Sequence, residues 1–514
     1  MTRLFSPLSA AAPGDAPPHH RDSVTSSPPP IPDREEQLLR LQRMESKLIQ
    51  GLFEHPGVVN RRSEHHLRYA LALAALDVFQ PGAAKKGGRT KRPDIKVRSP
   101  QLAGWRRRVL TTLGPILIDT QDSRERVELA NQALYSMLPT LEKTRNEVIE
   151  KYVDNFSTRE LDQELGIKTL VTVAGGGGGA GYVYLGAWEV LQNAGLVPGY
   201  VIGASIGAVL GLFRARRREL DFDESLLTAK SMQREEIFRF VSINSRYGMP
   251  GIMRLFLHEA FGTTLRGNKR RELLLSDLEI PFETVVAGVR RDALGEDTKN
   301  KALLHHLPID KRPSALQLRA QIASQLVKLV GFINPLAVQE IVIGGDSLTK
   351  HFNAIDAVGF SAAIPGILHY DMTRDDPQMN ATLTELLERH DVSALVDGGV
   401  ANNVPSRTAW EQVQAGKIGT RNTYILAFDC FHPQFGLGHV WMQPITQLVS
   451  YQVALNQRYA GKRIEFHPTL SPVNLLPSPH ELDQAVTWGR HQMSEVLPEI
   501  QKFFEPVKWV APEN

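Results

Sequence analysis

The stretch from residue 170 to residue 218 constrains the fold of this chain more than any other. An apolar run leads directly into five consecutive glycines, residues 175–179, and a helix-like segment follows. A second apolar run, residues 200–202, breaks at Gly203-Ala204-Ser205-Ile206-Gly207, and another helical segment begins there. This pattern predicts two consecutive strand–turn–helix units. The first turn can expose backbone N–H groups and the second can expose a serine hydroxyl, so we predict an oxyanion hole beside a nucleophile.

The serine lies in a G-x-S-x-G sequence. In such a turn the serine has strained backbone angles, and its hydroxyl projects above the sheet edge. Gly203 and Gly207 are needed because larger side chains would collide around the turn. The helix predicted over residues 206–218 would direct its N-terminus at the hydroxyl and favour developing negative charge. Taken alone, the motif fits a plain glycine-rich turn equally well.

Glycine-rich turns also bind phosphate, which gives two alternatives. A P-loop requires Gly-Lys-Ser/Thr after the glycines, whereas Gly179-Ala180-Gly181-Tyr182 stands here. A dinucleotide-binding fold requires an acidic residue about 20 residues later, where this chain has Pro198-Gly199-Tyr200. Five glycines match G-x-G-x-x-G trivially, so that match carries no information. The run therefore favours acyl transfer, which needs backbone donors aimed at an oxyanion.

A serine nucleophile needs a general base. Far downstream, the apolar residues 394–396 lead into Asp397-Gly398-Gly399. An aspartate at the carboxyl end of a short strand lies where α/β active sites are built. Asp-Gly-Gly alone is more often a simple turn. We predict that Asp397 is the base, flanked by Gly398 and Gly399.

Length and composition limit the remaining possibilities. With 514 residues the chain is longer than one core usually holds, and its net charge of +3 does not argue for nucleic acid. Cys430 is the single cysteine, so no intrachain disulfide can form, which fits a reducing compartment. Apolar, β-rich runs alternate with helical segments after residue 168 and predict an α/β sheet covered on both faces. The predicted strands are residues 169–174, 200–202, 282–287, 340–343, 394–396 and 423–428.

The chain divides into four predicted segments. Residues 1–33 contain eight prolines and predict a disordered tail. Residues 34–165 predict a helical region that begins at the cap Asp33 and serves packing or a protein partner. Residues 166–470 form the predicted catalytic domain, and residues 471–514 a helical extension. The sequence shows no cluster of strand signals between residues 34 and 160. The predicted helices there include residues 65–79, 105–113, 124–138 and 141–153.

Any membrane contact is predicted to be peripheral. The sequence has neither an apolar run long enough to span a bilayer nor a Sec signal peptide, so we expect a cytoplasmic protein. The basic residues 81–98 suit a solvated loop or anionic lipid headgroups. Residues 237–241 and 247–257, rich in methionine and aromatics, suit core helices or a mobile lid. Four arginines suit a helix C-terminus or lipid headgroups: Arg214, Arg216, Arg217 and Arg218.

Together, and in this order, the motifs resemble the patatin-like phospholipase family. Its oxyanion motif, G-G-G-x-R/K-G, aligns with residues 176–181, and its helix with residues 182–191. Its G-x-S-x-G and D-G-G motifs match residues 203–207 and 397–399. Weaker matches are residues 360–366, which resemble A-S-x-A-x-P, and residues 281–288, which resemble an intermediate strand. The resemblance covers roughly residues 168–430, and implies a three-layer α/β/α fold with a mostly parallel central sheet.

The resemblance also implies a catalytic dyad. In that scheme Asp397 takes the proton of Ser205 directly, Ser205 forms an acyl-enzyme, and Asp397 then activates water. No metal or cofactor is required. The implied oxyanion-hole residues are Gly176, Gly177, Gly178 and Gly179, and we favour Gly177 and Gly178 as the donors. An α/β-hydrolase would instead need a histidine after the acid, and His432 and His439 stand in that order.

One position departs from the family pattern. Ala180 stands where the family has arginine or lysine, which removes a positive charge beside the predicted oxyanion hole. We therefore expect a serine esterase of the phospholipase A type that acts on glycerophospholipids. Two alternatives remain open: a neutral-lipid esterase of the same fold, and a weakly active scaffold that binds partners through its helical N-terminal region.

Overall fold

The computed structural model describes residues 33–82, 92–231, 237–239, 245–266, 271–291, 337–372, 374–432 and 443–512. The proline-rich tail before Asp33, residues 83–91 of the basic loop and His439 lie outside these residues. The described helices are α1 (Arg34–Glu54), α2 (Arg61–Ala75), α3 (Pro100–Asp119), α4 (Ser123–Tyr135), α5 (Leu138–Lys151), α6 (Thr158–Gly166), α7 (Val183–Asn193), α8 (Ile206–Arg216), α9 (Phe222–Ser231), α10 (Leu257–Arg266), α11 (Ala354–Ser361), α12 (Pro377–Arg389), α13 (Ser406–Gln414), α14 (Gln443–Asn456) and α15 (Pro479–Phe504).

The described strands include the six that the sequence predicted. They are β1 (Val78–Phe79), β2 (Ile95–Lys96), β3 (Thr169–Ala174), β4 (Tyr200–Ala204), β5 (Phe238–Arg239), β6 (Gly251–Leu255), β7 (Phe282–Arg290), β8 (Val338–Ile343), β9 (Gly366–His369), β10 (Val392–Asp397), β11 (Thr423–Asp429) and β12 (Lys462–Glu465). Strands β1 and β2 pair between residues 34 and 160, where the sequence shows no cluster of strand signals. Two-residue strands are too short to produce an alternating sequence pattern.

Seven of the described strands form the central sheet. Strands β12, β11, β3, β4 and β7 are neighbours in that order, and all four pairs are parallel. Strand β7 also pairs antiparallel with β8 and with β10. The sheet is thus mixed and mostly parallel, as predicted.

The pairing of β7 brings two distant strand ends together. Residues 284–289 of β7 pair with β8 along one edge. Along the other edge, β4 runs parallel to the first part of β7 up to Ala204, opposite Val285, and β10 runs antiparallel to the second part up to Asp397, opposite Val286. The carboxyl ends of β4 and β10 therefore meet at adjacent residues of β7.

Helices cover both faces of the central sheet. On one face, the ring of Tyr424 in β11 lies 4.3 Å from that of Phe503 in α15, and the ring of Phe428 lies 5.7 Å from that of Trp188 in α7. Side chains alternate along a strand. Thr423, the neighbour of Tyr424, lines a cavity on the opposite face together with Trp410 of α13. The fold is therefore α/β, with helices on each side of the sheet.

Helices α7 and α15 approach closely through two glycines. A Cβ atom on Gly186 would lie 2.1 Å from the carbonyl oxygen of Val486, and one on Gly489 would lie 1.9 Å from that of Val183. Both positions exclude any larger residue, since side-chain carbons do not come that close to backbone atoms. The C-terminal helix is thus packed into the helical layer of the sheet.

The N-terminal helices share one continuous hydrophobic core with the sheet. Arg68 of α2 is buried and donates to the carbonyl oxygens of Phe503 (3.0 Å) and Glu505 (2.9 Å) at the end of α15. The N–H of Val507 donates to Gly166 at 2.9 Å. Buried carbonyl groups need such donors, so these contacts fix the N-terminal helices to the C-terminal segment.

A small second sheet occupies part of the predicted lid region. Strand β6 pairs antiparallel with β5 and parallel with β9. The interpretation of residues 247–257 as core helices is therefore wrong for residues 251–255, which are a strand. Methionine is flexible and fills irregular gaps in any element, so it does not distinguish a strand from a helix. Residues 240–241 of this region lie outside the described residues.

The arginines after the nucleophile turn interact within the protein. Arg214 is buried and donates to the carbonyl oxygens of Arg217 (3.1 Å) and Arg218 (3.3 Å), just past the end of α8. Arg216 pairs with Glu224 at 2.9 Å. These contacts favour the interpretation as a helix C-terminus. In the part of the chain that the structure describes, no helix is both long and apolar enough to cross a bilayer.

Candidate active site

Ser205 lies in the turn between β4 and α8, with φ 54° and ψ −129°. A positive φ is unfavourable for residues with a side chain. The turn is possible because its glycines leave room for it. A Cβ atom on Gly203 would lie 2.5 Å from the carbonyl oxygen of Gly207, and one on Gly207 would lie 2.2 Å from that of Ala174. The strained turn places the serine at the N-terminus of α8.

Asp397 is the hydrogen-bond partner of this serine. The Ser205 hydroxyl donates to Asp397 Oδ2 at 2.6 Å, across 192 residues of sequence. The other carboxylate oxygen, Oδ1, accepts the N–H of Gly399 at 2.8 Å. The Asp397 N–H donates to the carbonyl oxygen of Ala363 at 2.9 Å. Both oxygens and the backbone of Asp397 are therefore fixed, and the carboxylate is within direct proton-transfer distance of the hydroxyl.

The carboxylate is almost completely buried, which changes its acidity. Burial raises the pKa of Asp397 to about 7. Hydrogen bonds from Ser205 and Gly399 act in the opposite direction, but the effect of burial is larger. A carboxylate with a pKa near the working pH is a better base than an ordinary aspartate, because its conjugate acid holds the proton more tightly.

This pKa predicts how activity depends on pH. Only the ionised carboxylate can accept the Ser205 proton, so we expect kcat/KM for a soluble ester to fall about tenfold per pH unit below about pH 7 and to level off above it. Initial rates between about pH 5 and pH 9 test this. A profile that stays flat down to about pH 5 would mean that no group with this pKa controls the reaction.

Only some backbone N–H groups of the glycine loop, residues 176–179, donate hydrogen bonds within the described protein. The N–H of Gly176 donates to the carbonyl oxygen of Asn403 (3.1 Å), and that of Gly179 donates to Pro472 (3.1 Å). Among the described residues, no acceptor pairs with the N–H of Gly177 or Gly178. Gly177 and Gly178 are only half-buried, so a substrate oxyanion could reach their N–H groups. We therefore narrow the proposed oxyanion donors to Gly177 and Gly178 and no longer propose Gly176 and Gly179 for this role.

The C-terminal segment packs directly against the glycine loop. A Cβ atom on Gly178, which has φ 54°, would lie 2.2 Å from the carbonyl oxygen of Pro472, and one on Gly179 would lie 2.0 Å from that of Asn474. Ala180 follows in a short 3-10 helix (Gly178–Tyr182) and is fully buried. The sequence predicted the loop but gave no sign of residues 472–474, whose backbone requires these glycines.

Ser361 supports the nucleophile from the end of α11. Its hydroxyl accepts the N–H of Ser205 at 3.0 Å and donates to the carbonyl oxygen of Val285 at 2.6 Å. The serine is completely buried. Sequence reasoning placed Ser361 in the A-S-x-A-x-P match without a role. In the structure Ser361 connects the strained turn to β7. Because it accepts the N–H of Ser205, that N–H is already hydrogen-bonded.

Histidine takes no part in the described site. The Nε2 atom of His432 lies 2.8 Å from the Nδ1 atom of His467, whereas the hydrogen bonds of Asp397 go to Ser205, Gly399 and Ala363. The arrangement of the described residues is a serine–aspartate pair rather than a triad through His432. In the same described residues, no group of three or more His, Cys, Asp or Glu side chains could hold a metal ion.

Part of the chain matches a known protein family. Residues 172–410 match the family model described as Patatin-like phospholipase. The matched region begins inside β3 and ends inside α13, so it contains the glycine loop, Ser205 and Asp397. The family match supports lipid acyl hydrolase activity in general. A search of curated proteins found no match.

Proposed function

Because residues 172–410 match the Patatin-like phospholipase family model, we propose that the chain hydrolyses fatty-acyl esters of glycerophospholipids with Ser205 and Asp397 as the catalytic dyad. The observation that carries the proposal is the 2.6 Å hydrogen bond from the Ser205 hydroxyl to Asp397. A buried carboxylate beside a serine on a strained turn has the geometry of a base and its nucleophile.

In the proposed first step, Ser205 Oγ attacks the ester carbonyl carbon while its proton moves to Asp397 Oδ2. The carbonyl oxygen becomes an anion and accepts hydrogen bonds from the N–H groups of Gly177 and Gly178. The intermediate collapses, the bond to the glycerol oxygen breaks, and Asp397 returns the proton to that oxygen. The products are an acyl-enzyme and a lysophospholipid.

The second step regenerates the enzyme. Asp397 takes a proton from a water molecule, and the resulting hydroxide attacks the acyl carbon. The same two N–H groups stabilise the second oxyanion. The bond to Ser205 Oγ then breaks, the serine recovers its proton from Asp397, and the fatty acid leaves. No metal or cofactor enters either step.

Ala180 supports one alternative substrate class. A basic residue at this position could attract a phosphate headgroup, and the buried alanine supplies no charge. A neutral-lipid esterase is therefore the second candidate.

The rates of fatty-acid release from phosphatidylcholine vesicles and from triacylglycerol emulsions distinguish the two substrate classes. We expect faster release from phosphatidylcholine. Release only from triacylglycerol would replace the phospholipid proposal, and release from neither, with no labelling by a fluorophosphonate probe, would favour the scaffold alternative.

The remaining predictions complete the proposal. We assign catalysis to residues 166–470, between the helical region at 34–165 and the helical extension at 471–514. The proposed enzyme is cytoplasmic and contacts the membrane peripherally, because its substrate lies in a lipid surface. The N-terminal helices could also present a surface to a protein partner, beyond the packing contacts that α2 makes with α15.

A further inference from the structure

The peptide unit between Gly176 and Gly177 accepts hydrogen bonds at the carbonyl oxygen of Gly176. The Nδ2 atom of Asn403 donates to the carbonyl oxygen of Gly176 at 3.3 Å. The carbonyl oxygen of Asn403 accepts the N–H of Gly176 at 3.1 Å. The thiol of Cys430 also points at the Gly176 carbonyl, at 3.6 Å. Asn403 therefore binds both polar atoms of one glycine.

The orientation of this peptide decides where the N–H of Gly177 points. The carbonyl of Gly176 and the N–H of Gly177 belong to one planar trans unit and point in opposite directions. Glycines have wide conformational freedom, so a run of five has little intrinsic preference for either orientation. In the inverted orientation, a carbonyl oxygen would replace the N–H donor at the proposed oxyanion position, where it would repel the developing charge.

We propose that Asn403 is a positioning residue that fixes the Gly176–Gly177 peptide so that the N–H of Gly177 faces the oxyanion. This inference rests on the proposed function and deepens it. Asn403 touches no reacting atom and acts through the peptide that its side chain holds.

The packing around Asn403 couples this peptide to the turn that bears the acid. The residue is buried. A Cβ atom on Gly176 would lie 2.6 Å from Asn403 Oδ1, and one on Gly399 would lie 2.8 Å from the same atom. The side chain thus fits between two glycines, one in the oxyanion loop and one that donates to Asp397. One buried amide therefore sets the geometry of both parts of the site.

The test replaces Asn403 with leucine, which is similar in size but cannot donate, and with serine, which is too short to reach Gly176. We expect kcat per titrated active site to fall about 10²-fold in both variants, the scale for loss of one oxyanion donor, with KM changed by less than about threefold. The fluorophosphonate inactivation rate should fall in parallel. The apparent pKa of the kcat/KM profile should stay at the wild-type value, because the carboxylate keeps its partners Ser205 and Gly399.

Asn402 provides the matched control. It is equally buried, but its Nδ2 atom donates to Glu340 (3.1 Å) and Thr408 (3.3 Å), and its Oδ1 atom accepts from Asn456 (3.0 Å). Within the described residues, none of these side-chain hydrogen bonds reaches the glycine loop. Asn402→Leu should lower the melting temperature while kcat per titrated site stays within about threefold of wild type. If Asn403 had only a structural role, Asn403→Leu would likewise lower the melting temperature and leave kcat within about threefold of wild type. That outcome would overturn the proposal.

Crystal structures of wild type and Asn403→Leu give a readout that does not require activity. We expect the Gly176–Gly177 peptide to be inverted or present in two orientations in the variant. An unchanged peptide together with unchanged kcat overturns the role of Asn403 and leaves the dyad intact. Wild-type protein that neither hydrolyses esters nor reacts with the probe overturns the proposed function, and the peptide orientation still decides the structural part of the inference.

Discussion

Replacing Ser205 with alanine should reduce fatty-acid release from phospholipid vesicles by at least about 10⁴-fold, because the variant has no nucleophile and cannot form the acyl-enzyme. The fold should survive, since alanine adds no atoms to the turn and keeps its glycines. Release of free fatty acid from phosphatidylcholine vesicles, compared at equal protein concentration, measures the effect.

The control for this variant is Ser393→Ala. Ser393 is exposed on β10, the strand that ends at Asp397, and its hydroxyl donates only to the carbonyl oxygen of Val289, at 3.2 Å. We expect wild-type rates from this variant. Residual release by Ser205→Ala within about tenfold of wild type would mean that another nucleophile carries the reaction.

Replacing Asp397 with asparagine should lower kcat by about 10²- to 10⁴-fold, because the amide keeps the shape of the carboxylate but cannot accept the serine proton. The pH profile of any residual activity should also lose its inflection near pH 7. A variant that keeps the wild-type profile would show that a different group is the base.

The same substitution should stabilise the fold at high pH. The pKa of Asp397 is about 7 in the folded protein and near 3.9 in an unfolded chain, so the folded state binds the extra proton between these values. The free energy of unfolding of wild type therefore loses a contribution of up to about 4 kcal/mol as pH rises from about 4 to 7. The asparagine in Asp397→Asn does not ionise, so the variant does not lose this stability as pH rises. Its melting temperature should therefore exceed that of wild type at about pH 8 but not at about pH 4.

Asp346 offers a control of opposite sign. Burial alone would raise the pKa of Asp346, but hydrogen bonds from Thr349 and the charge of Arg389 lower it overall. Its ionised form therefore stabilises the fold, and Asp346→Asn should lower the melting temperature at about pH 8 with no effect on kcat. If Asp397→Asn instead lowered the melting temperature at about pH 8, the raised pKa of Asp397 would be wrong.

The sequence predicted the central sheet well because its strands are short, apolar and bounded by glycine-rich turns. It predicted the bounds of β3 correctly and located the other five strands. It missed β9 and β12, each only four residues long, and misread β6, whose methionine and aromatic neighbours do not distinguish strand from helix. Short strands depend on their partners more than on their own residues.

The site was predictable to the level of motifs and not of hydrogen bonds. Gly-x-Ser-x-Gly and Asp-Gly-Gly each carry a local geometric requirement, so they could be read from the sequence. Which glycine N–H groups remain free depends on Asn403 and Pro472, more than two hundred residues away from the loop. The pairing of β4 and β10 along one edge of β7 was equally invisible, and that pairing brings Ser205 to Asp397.

The most direct measurement of the central claim is the site of covalent labelling by a fluorophosphonate, located by peptide mass spectrometry in the wild-type protein and in Ser205→Ala. The dyad predicts a single phosphonylated residue, Ser205, labelled more slowly below about pH 7, and no label in the variant. Labelling at another serine, or equal labelling of both proteins, would contradict the assignment of Ser205 as the nucleophile that Asp397 activates.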